Sequence, residues 1–317
     1  MNYFLGVDAG GTKSTTVIID ENSKIVAEVK GGPANYHNIG LTQTVANITQ
    51  TIQDVLHKAN LKLADITWCT LGVASCDTEK DYRTLLKGFT TGLLLPIKDT
   101  LTMVNDTKIG LYSGTLPPGV VVICGTGCNV YGKNAHGQGI MAGNWGNFLG
   151  DKGSGYHIGK RMFEAVVDAY QETGDPTLLM NKLEAKINAR SPQDILDWYN
   201  DTKPSVHEVS DFAPLVIQAA EEGDEVAKQI IDKAIAELGK ALTSVVRRLK
   251  MENEYNRVVI VGGLFESKYF RAVFEGHATA LLKRVRVVKP LVSAAVGAAI
   301  MAKHQWEQKQ KSDQAAK

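Results

Sequence analysis

Three short glycine turns, each closing an apolar run of β character, constrain this chain more than any other feature. The first is DAGGT at residues 8 to 12, after Tyr3 to Val7; the second is GTG at 125 to 127, after Val120 to Cys124; the third lies in VGGLF at 261 to 265, after Arg257 to Val261. Glycine at a strand end lets backbone N–H groups approach an anion with no Cβ in between. One such turn reads equally as a hairpin of small residues, but three spaced along one chain read as phosphate-cradling loops. Two common phosphate motifs fail: in GxxxxGK[ST] the second glycine precedes lysine, whereas Gly11 precedes Thr12, and GxGxxG does not occur.

At 317 residues the chain suits two domains better than one core. Thirty-five basic against 34 acidic residues leave a net charge of +1, so no global field favours nucleic acid or an anionic membrane. No apolar segment approaches the roughly 20 residues that span a bilayer, and no basic stretch with an apolar run opens the chain, so a cytoplasmic location is expected. Cys69, Cys76, Cys124 and Cys128 are too irregularly spaced for a disulfide framework and read as reduced thiols. Because Cys124 and Cys128 flank the second turn, a metal or cluster ligand pair stands as the alternative to small buried residues.

Strands are expected at Tyr3 to Asp8, Thr15 to Asp20 and Lys24 to Val29, a helix at Thr42 to Ala59, and a strand at Ile66 to Ala74. A helix near Tyr82 to Gly88 and a strand at Leu101 to Val104 follow, the latter ending in Asn105 and Asp106. The breaker cluster GTLPPG at 114 to 119 marks a domain change. Beyond it a second meander (Val120 to Cys124, Asn129 to Lys133, Gly139 to Ala142) repeats the organisation of the N-terminus, as a duplication would. The chain then reads as mostly helical from Ser154 to Leu249, with strands at Val258 to Val261 and Val285 to Val288 and a small-residue helix over Ser293 to Lys303. The division is therefore 1–115, joined by a helix at 290–305, against 116–289, with 306–317 expected to be a disordered tail.

Phosphoryl transfer to a hydroxyl needs donors around a polyphosphate, a cation to neutralise it, and a base near the acceptor oxygen. Gly10, Gly11, Thr12 and Lys13 offer the donors, and Asp8 beside them offers a place to order magnesium. Asp106 sits where an apolar run delivers a carboxylate to a cleft, as a general base requires. The alternative is an N-cap for a helix over Thr107 to Tyr112.

Taken in order, GVDAGGTKS at 6 to 14, ND at 105 to 106, GTGCN at 125 to 129, NWGNFLGDKGSGY at 144 to 156 and VGGLF at 261 to 265 resemble the BadF/BadG/BcrA/BcrD group of the actin, hexokinase and heat-shock ATPase superfamily. The likeness covers roughly residues 3 to 303 and is nearest to the N-acetylglucosamine kinase branch. It implies an α/β fold of two actin-like (ribonuclease H-like) domains with ATP and sugar in a cleft between them, drawn together on sugar binding. By this resemblance ATP is gripped by Gly10, Gly11, Thr12, Lys13, Gly125, Thr126 and Gly127, with Ala220, Gly263 and Ser267 near the adenosine. Asp8 holds Mg2+ through water, and Asp106 is the catalytic base. Asn35, Asp106, Asn144, Trp145, Gly146 and Asp151 match sugar-binding positions, although Asn35 also reads as a polar turn and Trp145 as core. Asn144 stands where the branch prefers glycine, which leaves the amino sugar open.

The implied reaction is phosphorylation of the primary hydroxyl of an amino sugar, N-acetylglucosamine first, with glucosamine, N-acetylmuramic acid or a plain hexose as alternatives. From another class, an ATPase activator of a radical dehydratase shares the three turns but adds cluster cysteines, whose context is not found around Cys124 or Cys128. A catalytically idle sugar sensor is the third reading. The partner is a small-molecule sugar, with neither nucleic acid nor membrane, and a homodimer is compatible with all of this.

Overall fold

The computed structural model describes residues 1–254 and 256–315. The chain divides into two compact units, one formed by residues 1–117 with 289–317 and the other by 118–288, the break falling inside the GTLPPG segment. Among the described residues no helix is long and apolar enough to cross a membrane.

The first unit runs β1 (Tyr3–Ala9), β2 (Ser14–Asp20), β3 (Ile25–Gly31), α1 (Tyr36–Ile39), α2 (Leu41–Ala59), β4 (Ile66–Val73), α3 (Glu79–Thr90), β5 (Leu101–Val104) and α4 (Asp106–Tyr112). A closing helix at Ala294–Ala315 completes it. Its sheet has the order β3-β2-β1-β4-β5, with β1, β2 and β3 antiparallel and β4 and β5 parallel to β1. The pairings Ala9 with Val73 and Gly72 with Val104 bring the carboxyl ends of the three parallel strands to one edge of the sheet. In open α/β sheets that edge is where ligands bind.

Alternation along β1 sorts its side chains. Leu5, Val7 and Ala9 join the core under α2 and α3, while Phe4 joins the core under the closing helix. Gly6 faces that helix, and a Cβ there would lie 2.2 Å from the Ala299 nitrogen. Strand and helix backbones therefore touch, which the small residues of the closing helix make possible. The closing helix also runs on through the stretch expected to be a disordered tail, as far as Ala315. The polar composition of this stretch hid two anchors: the Trp306 ring lies 5.6 Å from that of Phe4, and the Lys309 ammonium sits 5.6 Å above Trp68. Residues 316 and 317 of that expected tail lie outside the described residues.

The second unit runs β6 (Gly119–Cys124), β7 (Cys128–Lys133), β8 (Gly139–Gly143), α5 (Gly146–Leu149), α6 (Gly155–Tyr170), α7 (Leu179–Ile187), α8 (Pro192–Thr202), α9 (Val206–Ser210), α10 (Ala213–Glu221), α11 (Glu225–Arg248), β9 (Asn256–Val261), α12 (Lys268–Leu281) and β10 (Val285–Val288). Its sheet, β10-β9-β6-β7-β8, repeats the scheme of the first: an antiparallel meander, then strands parallel to its first member. Val122 and Ile260 of the sheet pack with Ile231, Leu238 and Leu242 of α11 and Phe270 and Phe274 of α12 in one apolar core.

Helix α3, expected near Tyr82 to Gly88, begins earlier than that because local side-chain bonds set its start. In α3 the Thr78 and Asp81 side chains form a reciprocal capping box, so that helix opens at Glu79 rather than near Tyr82.

Candidate functional site

In the first unit the DAGGT turn is the loop of the β1–β2 hairpin, closed by the pairing of Ala9 with Ser14. The Gly10 N–H donates to the Lys13 carbonyl at 3.0 Å, which folds the loop back on itself. Gly11, Thr12 and Lys13 are exposed, and a Cβ on Gly11 would meet nothing within 4 Å, so an approaching anion finds open backbone there. The Gly10 carbonyl accepts from the Ala34 N–H at 2.9 Å, tying the segment before Asn35 to the same turn. Asn35 caps α1, its Oδ1 accepting from the His37 N–H at 3.0 Å. A polar turn is thus part of its role, and it stands beside the glycine loop as well.

Three carboxylates gather at the carboxyl edge of this sheet. Asp8 ends β1, Asp106 opens α4 after β5, and Asp77 lies in the loop after β4. Asn105, not Asp106, caps α4: its Oδ1 accepts from the Thr107 N–H at 2.9 Å. The other end of the Asn105 amide donates to Asp77 Oδ1 at 2.7 Å. Asp106 is thereby spared the capping duty that was its alternative reading. Burial and then the Asp8 and Asp77 charges push its pKa up to about 6. Burial also raises Asp8, with Lys13 opposing the rise. Asp77 was missed in the sequence, although its position shortly after an apolar strand is the signal that singled out Asp106.

The Asp8 and Asp77 charges that raise Asp106 would be relieved by a cation. The oxygen-only donor set suits magnesium, which binds few carboxylates and keeps its waters. Asp8 and its neighbours therefore fit such an ion.

In the second unit GTG is the loop of the β6–β7 hairpin, closed by the pairing of Cys124 with Cys128. Gly155 and Tyr156, at the start of α6, donate to the carbonyls of Gly125 and Thr126 at 2.7 and 3.2 Å. Thr126 Oγ1 lies 3.3 Å from His207 Nδ1, a neighbour not foreseen. Gly262 has φ +113°, and a Cβ on it would stand 2.2 Å from the Cys124 carbonyl oxygen, so VGG and GTG press together backbone to backbone. Gly263 follows with open space where its Cβ would be.

The segment 143–153 is bent by left-handed residues: Gly143, Asn144, Gly146, Asp151 and Gly153 all have positive φ. Asn144 therefore occupies backbone space that glycine would enter more cheaply. Trp145 is 71% exposed, which removes the reading of it as core. Asp151 turns back onto the glycine loop, where a Cβ on Gly127 would lie 3.1 Å from its Oδ2, and burial raises its pKa. Ser267 spends its hydroxyl capping α12, accepting from the Phe270 N–H at 3.2 Å. Ala220 does not stand as a nucleotide contact through its side chain, which is 2% exposed and packed in the core.

Of the two readings of Cys124 and Cys128, the structure bears out small buried thiols. Cys124 and Cys128 are buried, donating to the carbonyls of Gly153 and Lys152 at 3.3 and 3.2 Å, and burial pushes Cys128 up to about 12. Thiols held protonated on carbonyls are poor cluster ligands.

The BadF/BadG/BcrA/BcrD ATPase family matches residues 5–302. An N-acetyl-D-glucosamine kinase of Dictyostelium discoideum is 34% identical over 276 residues, covering 84% of this chain and 86% of that protein. An N-acetylmuramic acid/N-acetylglucosamine kinase of Clostridium acetobutylicum is 27% identical over 309 residues, 97% of this chain and all of the relative. Among solved structures, a candidate N-acetylglucosamine kinase from Chromobacterium violaceum shares the fold with a TM-score of 0.71 at 23% identity, over 95% of this chain and 99% of its own.

Proposed function

The chain belongs to the BadF/BadG/BcrA/BcrD ATPase family, and from that premise we propose that it is an ATP-dependent kinase for the primary hydroxyl of an amino sugar, N-acetylglucosamine first. One observation carries the reading: Asp106 is a half-buried carboxylate, with α4 capped by Asn105 instead, and burial, then the Asp8 and Asp77 charges, raise its pKa to about 6. A general base works best with a pKa near the operating pH.

Asp106 accepts the hydroxyl proton as the bond from the sugar oxygen to the γ-phosphorus forms and the bond from that phosphorus to the β,γ-bridging oxygen breaks, releasing ADP. The proton then leaves Asp106 to water. Gly11, Thr12 and Lys13 in one unit, and Thr126, Gly127 and Gly263 in the other, are assigned to the nucleotide as backbone donors and hydroxyls; Gly10 and Gly125, whose N–H groups close their own turns, are assigned to it as backbone without a Cβ. Asp8 is assigned to magnesium through water, and a bound ion would supply positive charge against the phosphates. Asn35, Asn144, Trp145, Gly146 and Asp151 are assigned to the sugar, Trp145 offering an exposed ring for its apolar face. The two curated relatives act on N-acetylglucosamine, one of them also on N-acetylmuramic acid, which supports the acceptor class. The buried Cys124 and Cys128 weigh against the activator reading.

A screen of sugars for ADP release tests the proposal. ADP should appear in proportion to N-acetylglucosamine, with little release without sugar; rapid sugar-independent hydrolysis would overturn it. In Asp106→Asn, ATP binding should persist while turnover falls about 10² to 10⁴-fold.

A further inference from the structure

A cavity of about 460 Å³ is lined by Lys152 and by residues of α6 and α11. Lys152, Arg161, Lys233 and Lys240 line it, with His157 and a single carboxylate, Glu237. A second hollow of about 350 Å³ shares Lys152, His157 and Arg161 and adds Lys160 with no carboxylate. In a chain of net charge +1, five exposed cations line these two hollows. Glu237 pairs with Lys240 at 2.5 Å, and Glu164 pairs with Arg161 at 2.7 Å and Lys160 at 3.5 Å. Lys152 and Lys233 have no ion-pair partner among the described residues, so the carboxylates do not cancel the charge.

His157 adds direction. Its Nδ1 accepts from the Gly153 N–H at 3.1 Å, which places the ring proton on Nε2 as a further donor. Burial, then the neighbouring Arg161, lowers its pKa and keeps the ring in this neutral form. The same short segment reaches the glycine turn: the Lys152 and Gly153 carbonyls accept from Cys128 and Cys124, and Asp151 lies against Gly127.

We propose that this cavity is a second anion site, taking a small phosphate-bearing ligand between Lys152, Arg161 and Lys233, and that its occupancy is transmitted to the GTG turn through residues 151–153. Lysines in a partly enclosed space hold phosphate as point charges, and arginine adds a fork. None of the residues assigned to phosphoryl transfer lines the cavity, although Lys152 directly follows Asp151 in the chain.

Equilibrium dialysis of the full chain with inorganic phosphate, and separately with N-acetylglucosamine 6-phosphate, each with excess N-acetylglucosamine to fill the sugar site of the kinase reading, tests the site without turnover, so the result stands whether or not that reading holds. The double variant Lys152→Ala, Lys233→Ala should weaken binding by about tenfold or more, and Lys13→Ala should leave it unchanged. Tighter binding of one probe identifies free phosphate or a sugar phosphate as the source. Binding that survives the double variant, or that follows Lys13 instead, overturns the site. Hydrogen exchange tests the transmission: the probe should slow the amides of Gly153 and Gly155, and unchanged exchange in the bound state overturns the coupling.

Discussion

The side-chain amide of Asn105 donates to the carboxylate of Asp77 at 2.7 Å, while its oxygen receives the Thr107 N–H at 2.9 Å. One residue thus caps α4 and holds an anion near Asp106. The Asp77 charge helps keep Asp106 protonated, so Asp77→Asn should lower the Asp106 pKa. The acid limb of the pH–rate profile should then move to lower pH, with the alkaline limb unchanged. An acid limb that stays in place would separate Asp77 from the base.

Asp106 also shapes stability against pH. Its folded-state pKa of about 6 exceeds the ordinary 3.8, so the native chain binds more protons than the unfolded one between those values. Stability therefore falls as pH rises from about 4 to about 6, and the penalty persists at neutral pH. Asp106→Asn should raise the unfolding free energy at neutral pH by on the order of 2 kcal/mol, and by much less below about pH 4. Denaturant melts at the two pH values check this.

Gly262→Ala should be severely destabilising. The new Cβ would stand 2.2 Å from the Cys124 oxygen at a φ of +113°, a strain worth about 3 kcal/mol or more. The same variant should weaken ATP binding, because the backbone it displaces leads into Gly125. Gly263→Ala, with open space at its Cβ, is the control and should fold with near-native stability.

Trp306 anchors the end of the closing helix on Phe4, at 5.6 Å between rings. Trp306→Ala should cost about 2 kcal/mol in chemical unfolding, whereas Lys311→Ala, exposed further along, should cost almost nothing. Equal effects would mean that the helix end is not docked.

The glycine turns, the antiparallel meanders and the three segments that lead into Asp8, Asp106 and GTG were legible in the sequence, because strand pattern and glycine chemistry are local; the parallel pairings came only with the structure. The closing helix was legible where alanines and Gly297 allow close packing, but not at Trp306 and Lys309, whose partners lie near the other end of the chain. Asp77 escaped for the same reason: its link to Asp106 spans a sheet edge.

Local pattern by itself determined which residues could face a phosphate, since a strand, a glycine turn and the absence of a Cβ are properties of neighbours in sequence. Only the tertiary structure decided which carboxylate was spare, by giving the capping of α4 to Asn105, and which glycine had no substitute, by setting Gly262 against Cys124. It likewise buried Ala220 and turned Trp145 outward. Burial, the neighbours of a charge and backbone contacts between distant segments depend on where the chain returns to itself, and no window of sequence contains that.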